Sequence, residues 1–249
     1  MEETRVCVLD RDGTIIHEVK VSSTPSHIEA ALAGAPACRR GVFETGRMAP
    51  MLHHGLTERG VPVVCIESRQ ASQALKSLAT HKTDRNDARG LAHLARTGFF
   101  KPVHVKSLPA HAIRSLIIAR KKLVGQRVML ENQIRGLAVV FGVRLPRALS
   151  PAFIAQALQA SERIAGLSAA MRGLATARVA VLSAVASIDA DIKKLARASN
   201  ACQRLMTIPG VGHLTALAFT AAVDDPERFR RSRDLGAYLG SGAASLSIR

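Results

Sequence analysis

Two carboxylates three residues apart open the stretch Lys82-Thr83-Asp84-Arg85-Asn86-Asp87-Ala88-Arg89. Residues at that spacing share a helix face, so Asp84 and Asp87 point the same way at a helix mouth. Flanked by Lys82, Arg85 and Arg89, the pair suits a divalent cation on a protein that handles phosphates. Acids in a first turn are also ordinary helix chemistry, so capping stands beside metal binding as a second reading. A third acid, Glu44, ends the strand-like Gly41-Val42-Phe43-Glu44. Farther on, Ile208-Pro209-Gly210-Val211-Gly212 stops one helix and starts the next. Its glycines allow a tight turn whose amides, at a new helix N-terminus, can hold a phosphate.

The composition agrees with a phosphate-bearing partner. The chain has 249 residues, a net charge of +16 and a pI near 10.9. A chain so basic expects a polyanion. Only 3% of residues are aromatic and none is Trp. That argues against base-stacking platforms and for contact with the phosphate backbone. Cys7, Cys38, Cys65 and Cys202 are widely spaced without a C-x-x-C pattern, which disfavours a disulfide framework or a zinc site and fits a reducing cytosol. No N-terminal signal and no apolar run of membrane-spanning length are read from the sequence. The expectation is a soluble, basic, cytoplasmic protein with no membrane partner.

The elements that must position these residues follow from periodicity and punctuation. Arg5 to Leu9 and Thr14 to Val21, joined by Asp10-Arg11-Asp12-Gly13, predict a hairpin. Thr24-Pro25 predicts the start of a short helix through Ala33. A strand over 41–44, a helix over Met48 to Arg59 stopped by Gly60, a strand over 63–66 and a helix over 70–78 follow. Then comes the acidic helix, with Ala88, Leu91, Ala92 and Ala95 as its apolar stripe and Gly98 as its C′ cap. Strands alternating with helices predict an α/β domain with a partly parallel sheet.

Past residue 108 the strand signals stop. Ala110 to Phe141 is one long helical region carrying Arg114, Arg120, Lys121, Lys122, Arg127 and Arg135 against the single acid Glu131. This is either a solvated face or a nucleic-acid contact surface. Residues 145–165 read as a connector. A second long helix runs from Leu167, with Leu167, Met171, Leu174, Val181, Val185, Ile188, Ile192 and Leu195 in three- and four-residue steps that Arg178 interrupts. That heptad seam serves either a helical hairpin within the chain or an oligomeric coiled coil. The expected divisions are 1–107, 108–200 and 201–249. Arg230 and Arg231, in the basic stretch after Asp224, join Gly210 and Gly212 as expected DNA contacts.

A Glu at a strand end and two acids opening a later helix are what a ribonuclease-H-like nuclease core requires for two metal ions. Six blocks carry a family resemblance: Val42-Phe43-Glu44-Thr45-Gly46, Val63-Val64-Cys65-Ile66-Glu67, Lys82-Thr83-Asp84-Arg85-Asn86-Asp87-Ala88, Asn132-Gln133-Ile134-Arg135-Gly136, Ile208-Pro209-Gly210-Val211-Gly212 and Arg230-Arg231-Ser232-Arg233-Asp234-Leu235-Gly236-Ala237-Tyr238-Leu239-Gly240. In this order they resemble transposases of the insertion sequence 110 family. The resemblance implies a RuvC-like α/β domain, long helices, and a C-terminal transposase domain that begins with a helix-hairpin-helix. It implies recombinase activity with Mg²⁺ on an Asp-Glu-Asp-Asp tetrad, in which Glu44, Asp84 and Asp87 take the second to fourth places. It also implies a nucleophilic serine, double-stranded DNA and a structured guide RNA as partners, and a homo-oligomer.

The chain departs from the family pattern at both ends. The family's first Asp lies on a strand preceding a segment like Glu2-Glu3-Thr4, so that strand, central in the sheet, has no counterpart here. After Gly240 the pattern leading to the nucleophile gives way to Ser241-Gly242-Ala243-Ala244-Ser245, and none of Ser241, Ser245 or Ser247 takes its place. The expectation is a truncated, defective copy. A non-catalytic DNA- or RNA-binding or oligomerising fragment is the alternative. A remoter one is a haloacid-dehalogenase-like phosphatase, whose Asp-x-Asp-Gly-Thr motif is matched by Asp10-Arg11-Asp12-Gly13-Thr14. Asp10 and Asp12 are read instead as turn residues.

Overall fold

The computed structural model describes residues 3–69, 71–73, 83–148 and 150–240. The chain divides into two compact units, Met1–Ser107 and Leu108–Arg249.

In the first unit, β1 (Glu3–Leu9) and β2 (Ile15–Ser22) pair as an antiparallel hairpin. Asp10 makes the turn. Its Oδ1 accepts from the amides of Asp12 at 2.9 Å and Thr14 at 2.8 Å, and Gly13 takes φ 95°. The Thr14 amide foremost holds the Asp10 carboxyl below its ordinary range. Helix α1 (Pro25–Ala33) starts at the expected Thr24 cap, whose Oγ1 accepts from the His27 amide at 3.4 Å. Strands β3 (Gly41–Glu44) and β4 (Val63–Ile66) pair in parallel, Glu44 opposite Ile66, with α2 (Ala49–Thr57) between them in sequence. Helix α3 (Asp84–Thr97) packs on β1 and β3. Gly98 ends it in the left-handed region at φ 73°, its amide bonding Leu94 O. Ile66, Ala71 and Leu94 form the buried centre, with Val42, Leu91 and Phe100 against it.

One feature differs from the expected single sheet. The described strands make two separate pairs, β1 with β2 and β3 with β4. Most of the helix expected over 70–78 lies outside the described residues, as do His81 and Lys82.

The second unit is helical. Helix α4 (Leu108–Val140) is 33 residues long and ends at Gly142, φ 76°; α6 (Ala165–Ala198) is 34 residues long. At 1.5 Å per residue each is roughly 50 Å in length. They pack against each other, so the heptad seam serves a hairpin within this chain. The connector expected over 145–165 contains a helix, α5 (Ala152–Ser161), because Phe153 and Ala157 have an apolar cluster to enter with Ile134, Ala138 and Met171. At the other end of the hairpin, α7 (Asn200–Leu205) and α8 (His213–Val223) close a second cluster of Ile192, Ala196, Cys202, Ala216 and Leu217. Ala196 is buried there while Leu195, expected in the seam, is exposed. The last described helix is α9 (Ser232–Tyr238). Among the described residues α6 is long and apolar enough, by length and composition, to cross a bilayer, contrary to the sequence expectation. Its apolar character comes from a seam turned to α4 and α5 combined with alanines spread around the helix.

Two charges that break these patterns meet each other. Arg178, the interruption in the α6 seam, donates from Nε to Oε1 of Glu131, the lone acid of the basic helix, at 2.9 Å. Both side chains are withdrawn from water, at 12% and 6% exposure. Arg178 Nη2 also bonds Ala148 O at 2.8 Å, and its guanidinium lies over the Phe153 ring. Arg127 Nε stands 3.7 Å from the same Glu131 oxygen. Three helical turns away on both helices, Arg120 pairs with Asp189. The equal spacing of the two pairs fixes the antiparallel register.

Candidate functional site

The cap of α3 is Thr83. Its side chain accepts from the Asn86 amide at 3.2 Å, and the Asp87 amide bonds Thr83 O at 2.9 Å. Asp84 and Asp87 are therefore not capping residues. They sit in the first turn, Asp84 exposed and Asp87 half-buried, beside the positive end of the helix dipole. Glu44 is half-buried at the C-terminal end of β3 and makes an interaction of its own.

The metal reading brings these three carboxylates, with a fourth acid, to a pair of ions. Among the described residues no three His, Cys, Asp or Glu side chains gather as an ion would require. Glu44, Asp84 and Asp87 are not gathered into such a group here, while carboxylate oxygens are the donor type that Mg²⁺ takes. The arginines beside them are also otherwise engaged. Arg85 Nε donates to Glu18 Oε2 at 2.6 Å, and Arg89 Nε and Nη2 donate to Oε1 and Oε2 at 2.9 and 3.1 Å. This fork holds the Glu18 carboxyl down to about 2. Glu18 on β2 is the partner that sequence reading missed.

The expected DNA-contact residues divide in two. Arg114, Lys121 and Lys122 are exposed on α4 and make no ion pair among the described residues. Arg120, Arg127 and Arg135 do not belong with them. Arg120 is committed to Asp189, Arg127 turns to Glu131, and Arg135 lies over Phe153 with Nη2 on Pro146 O. Helical periodicity explains the division, since a charge on the face turned to α6 must find an internal partner.

The turn between α7 and α8 is open. Gly210 takes φ 85°, Gly212 is the residue before the first turn of α8, and a Cβ on either would meet nothing within 4 Å. Ile208 to Gly210 are exposed. Arg230 and Arg231 are exposed as well, Arg231 lying 4.0 Å from Asp234. Arg228, in the same basic stretch, lies over both the Phe229 and Tyr238 rings, 4.3 and 4.2 Å from their centroids, the two rings being 5.3 Å apart. Ser241, Ser245 and Ser247 lie outside the described residues.

His53 and His54 are half-buried in α2. His54 Nε2 bonds Lys106 O at 2.9 Å, and His53 packs edge-on against His54 and near Phe43. Burial foremost lowers the His53 pKa. The four cysteines are free thiols, and burial pushes Cys65 up to about 11. Asp10, the first acid of the phosphatase-like motif, stands as the turn residue expected of it, its Oδ1 accepting from two amides of the hairpin turn.

Comparison with known proteins agrees with the ordered motifs. The DEDD-type transposase family model of IS110 elements matches residues 1–140, and that of the "Transposase IS116/IS110/IS902 family" matches residues 202–242. The transposase for insertion sequence element IS1111A of Coxiella burnetii is 28% identical over 240 residues, 95% of this chain and 64% of that protein. The transposase for IS1328 of Yersinia enterocolitica is 25% identical over 210 residues, covering 84% of this chain and 62% of the relative. A probable family 20 transposase of Pseudomonas aeruginosa is 29% identical over 64% of this chain and 48% of its own length. The chain thus spans between about half and two thirds of the length of these relatives. Matched in both of its units, the chain belongs to the IS110 family of transposases.

Proposed function

We propose that this chain takes part in DNA transposition by holding duplex DNA through its phosphates, and that as it stands it binds DNA without cutting it. The binding surface is Arg114, Lys121 and Lys122 on α4, the amides around Gly210 and Gly212, and Arg230 and Arg231. The single observation behind this reading is the division of the α4 cations: the exposed ones have no ion-pair partner among the described residues, while the inward ones have internal partners. Unpaired cations on a helix exposed to solvent displace condensed counterions from a nucleic acid. Metal-dependent, serine-assisted strand exchange remains the family-level reading of the longer proteins. In this chain Glu44, Asp84 and Asp87 are its candidate carboxylates, and their failure to converge supports binding without cleavage. A structured guide RNA would use the same cationic surface.

The test uses a supercoiled plasmid carrying the ends of an IS110-type element. Binding is expected to weaken steeply between about 50 and 200 mM salt, with no nicking above the protein-free control when Mg²⁺ is added. Nicking that needs Mg²⁺ and is lost in Asp84→Asn would overturn the non-cutting reading. Absent or salt-insensitive binding would overturn the DNA reading itself.

A further inference from the structure

The C-terminal end of α3 gathers arginines from three parts of the first unit. Arg96, in the last turn of that helix, donates from Nη1 to Arg11 O in the hairpin turn at 3.4 Å. A Cβ on Gly13 would lie 3.3 Å from its guanidinium carbon. Arg40, just before β3, donates from Nη1 to Ala95 O at 3.4 Å, and the same nitrogen stands 3.2 Å from the place a Cβ on Gly98 would take. Its guanidinium also lies over the Phe100 ring, 5.6 Å from the centre. Arg11, Arg40 and Arg96 are all exposed, and none is in a salt bridge among the described residues. The negative end of a helix accounts for one cation, and Arg40 on the Ala95 carbonyl takes that place. It does not account for two more. Of the acids flanking Arg11, Asp10 turns Oδ1 into the hairpin turn and Asp12 forms no salt bridge among the described residues. Like charges gathered in this way repel one another, and a bound anion relieves the repulsion.

An aromatic ring stands beside them. Phe99, which follows Gly98, has a side chain 78% exposed, more than any other large apolar side chain among the described residues. Its neighbour Phe100 packs instead against the cluster of Ile66 and Leu94. A lone exposed apolar residue is ordinary on any surface. A ring presented to solvent next to uncompensated guanidinia is the combination that single strands use, because every base has a face to stack and the cations track the backbone. We infer that this end of α3 binds single-stranded nucleic acid, the Phe99 ring stacking on an unpaired base and Arg11, Arg40 and Arg96 holding the flanking phosphates. The low aromatic content limits the site to one ring and one base. A duplex hides its base faces, so this site takes a different form of nucleic acid from the surface proposed on the second unit, and neither depends on the other.

The chain has no tryptophan, so Phe99→Trp places a single indole at the site. The probe is an oligothymidylate of about eight nucleotides, within the usual footprint of a single-strand site, titrated into the full chain. Its control is an abasic oligonucleotide of equal length, which keeps the phosphates and removes the bases. The expected result is saturable quenching of the indole by the thymidylate and none by the abasic strand. With a labelled strand followed by anisotropy, Phe99→Ala should weaken thymidylate binding roughly tenfold. Arg11, Arg40 and Arg96 changed together to Gln should flatten the log–log salt dependence by about 2.1, at about 0.7 per phosphate contact. The ribo form of the same oligonucleotide identifies the source: the tighter of the two strands is the ligand, and Phe99→Ala must weaken it. Equal binding of thymidylate and abasic strands by the parent chain would overturn the inference, and this comparison needs no variant to fold. An indole left unquenched at saturation, or Phe99→Ala binding as tightly as the parent, would overturn it as well. Duplex binding enters none of these readouts, so its failure and the failure of this site are told apart.

Discussion

At the scale of single residues, two carboxylates carry the internal electrostatics, one in each unit. Glu18 accepts from two arginines one turn apart on α3 and so ties the hairpin to that helix. Its carboxyl titrates near 2 in the fold, against about 4.5 when free. A depressed acid stabilises the fold fully above its unfolded value and loses that contribution as pH falls through its folded value. Glu18→Gln should therefore melt earlier than the parent at pH 7, with the gap narrowing below about pH 4.5 and closing near pH 2, as thermal melts across pH would record. Glu131 is more deeply withdrawn, and its loss leaves Arg178 buried without a counter-charge. Glu131→Ala should cost roughly 3–5 kcal/mol. The double variant Glu131→Met with Arg178→Met should lie far closer to the parent, since well-packed apolar replacements of a buried ion pair are often neutral or stabilising. A double variant as unstable as the single one, measured by urea unfolding, would refute that account.

At the scale of elements, local signals sufficed where a side chain or a glycine makes the boundary. Thr24, Gly60, Gly98 and the Asp10 turn stand where the sequence predicts them, because caps and turns are settled within a few residues. The α3 cap shifted by one residue, from the aspartates to Thr83, because a β-branched hydroxyl in extended backbone fits the cap better than an acid already in helical geometry. The helix inside the 145–165 connector was missed, since its ten residues gain helical stability from the cluster around Phe153. Another element-level contact was invisible in the sequence: a Cβ on Gly55 would lie 2.5 Å from Cγ of Pro25, so α1 and α2 touch at a glycine. The proline ring cannot rotate away. Gly55→Ala should accordingly destabilise the chain by about 1–3 kcal/mol in denaturant titrations, despite the better helix propensity of alanine.

At the scale of the whole molecule, the excess of positive charge decides the partner and the packing decides which charges meet it. Neutralising Arg114, Lys121 and Lys122 together to Gln should flatten the salt dependence of duplex binding by roughly 2.7 in the log–log slope, about 0.9 per phosphate contact. Arg135→Gln, which removes a cation packed on Phe153, should leave that slope alone and lower stability instead. An unchanged slope in the triple variant would move the interface off α4. The composition, the element order, the hairpin turn and the family motifs were all legible in the sequence, because each rests on neighbours along the chain or on a pattern of fixed spacing. Tertiary structure alone decided which arginines are spent on Glu18, Asp189 and Glu131, and that the heptad seam closes within the chain. Those outcomes depend on contacts between residues tens of positions apart, where burial leaves a charge or a backbone group only the partners that folding brings to it.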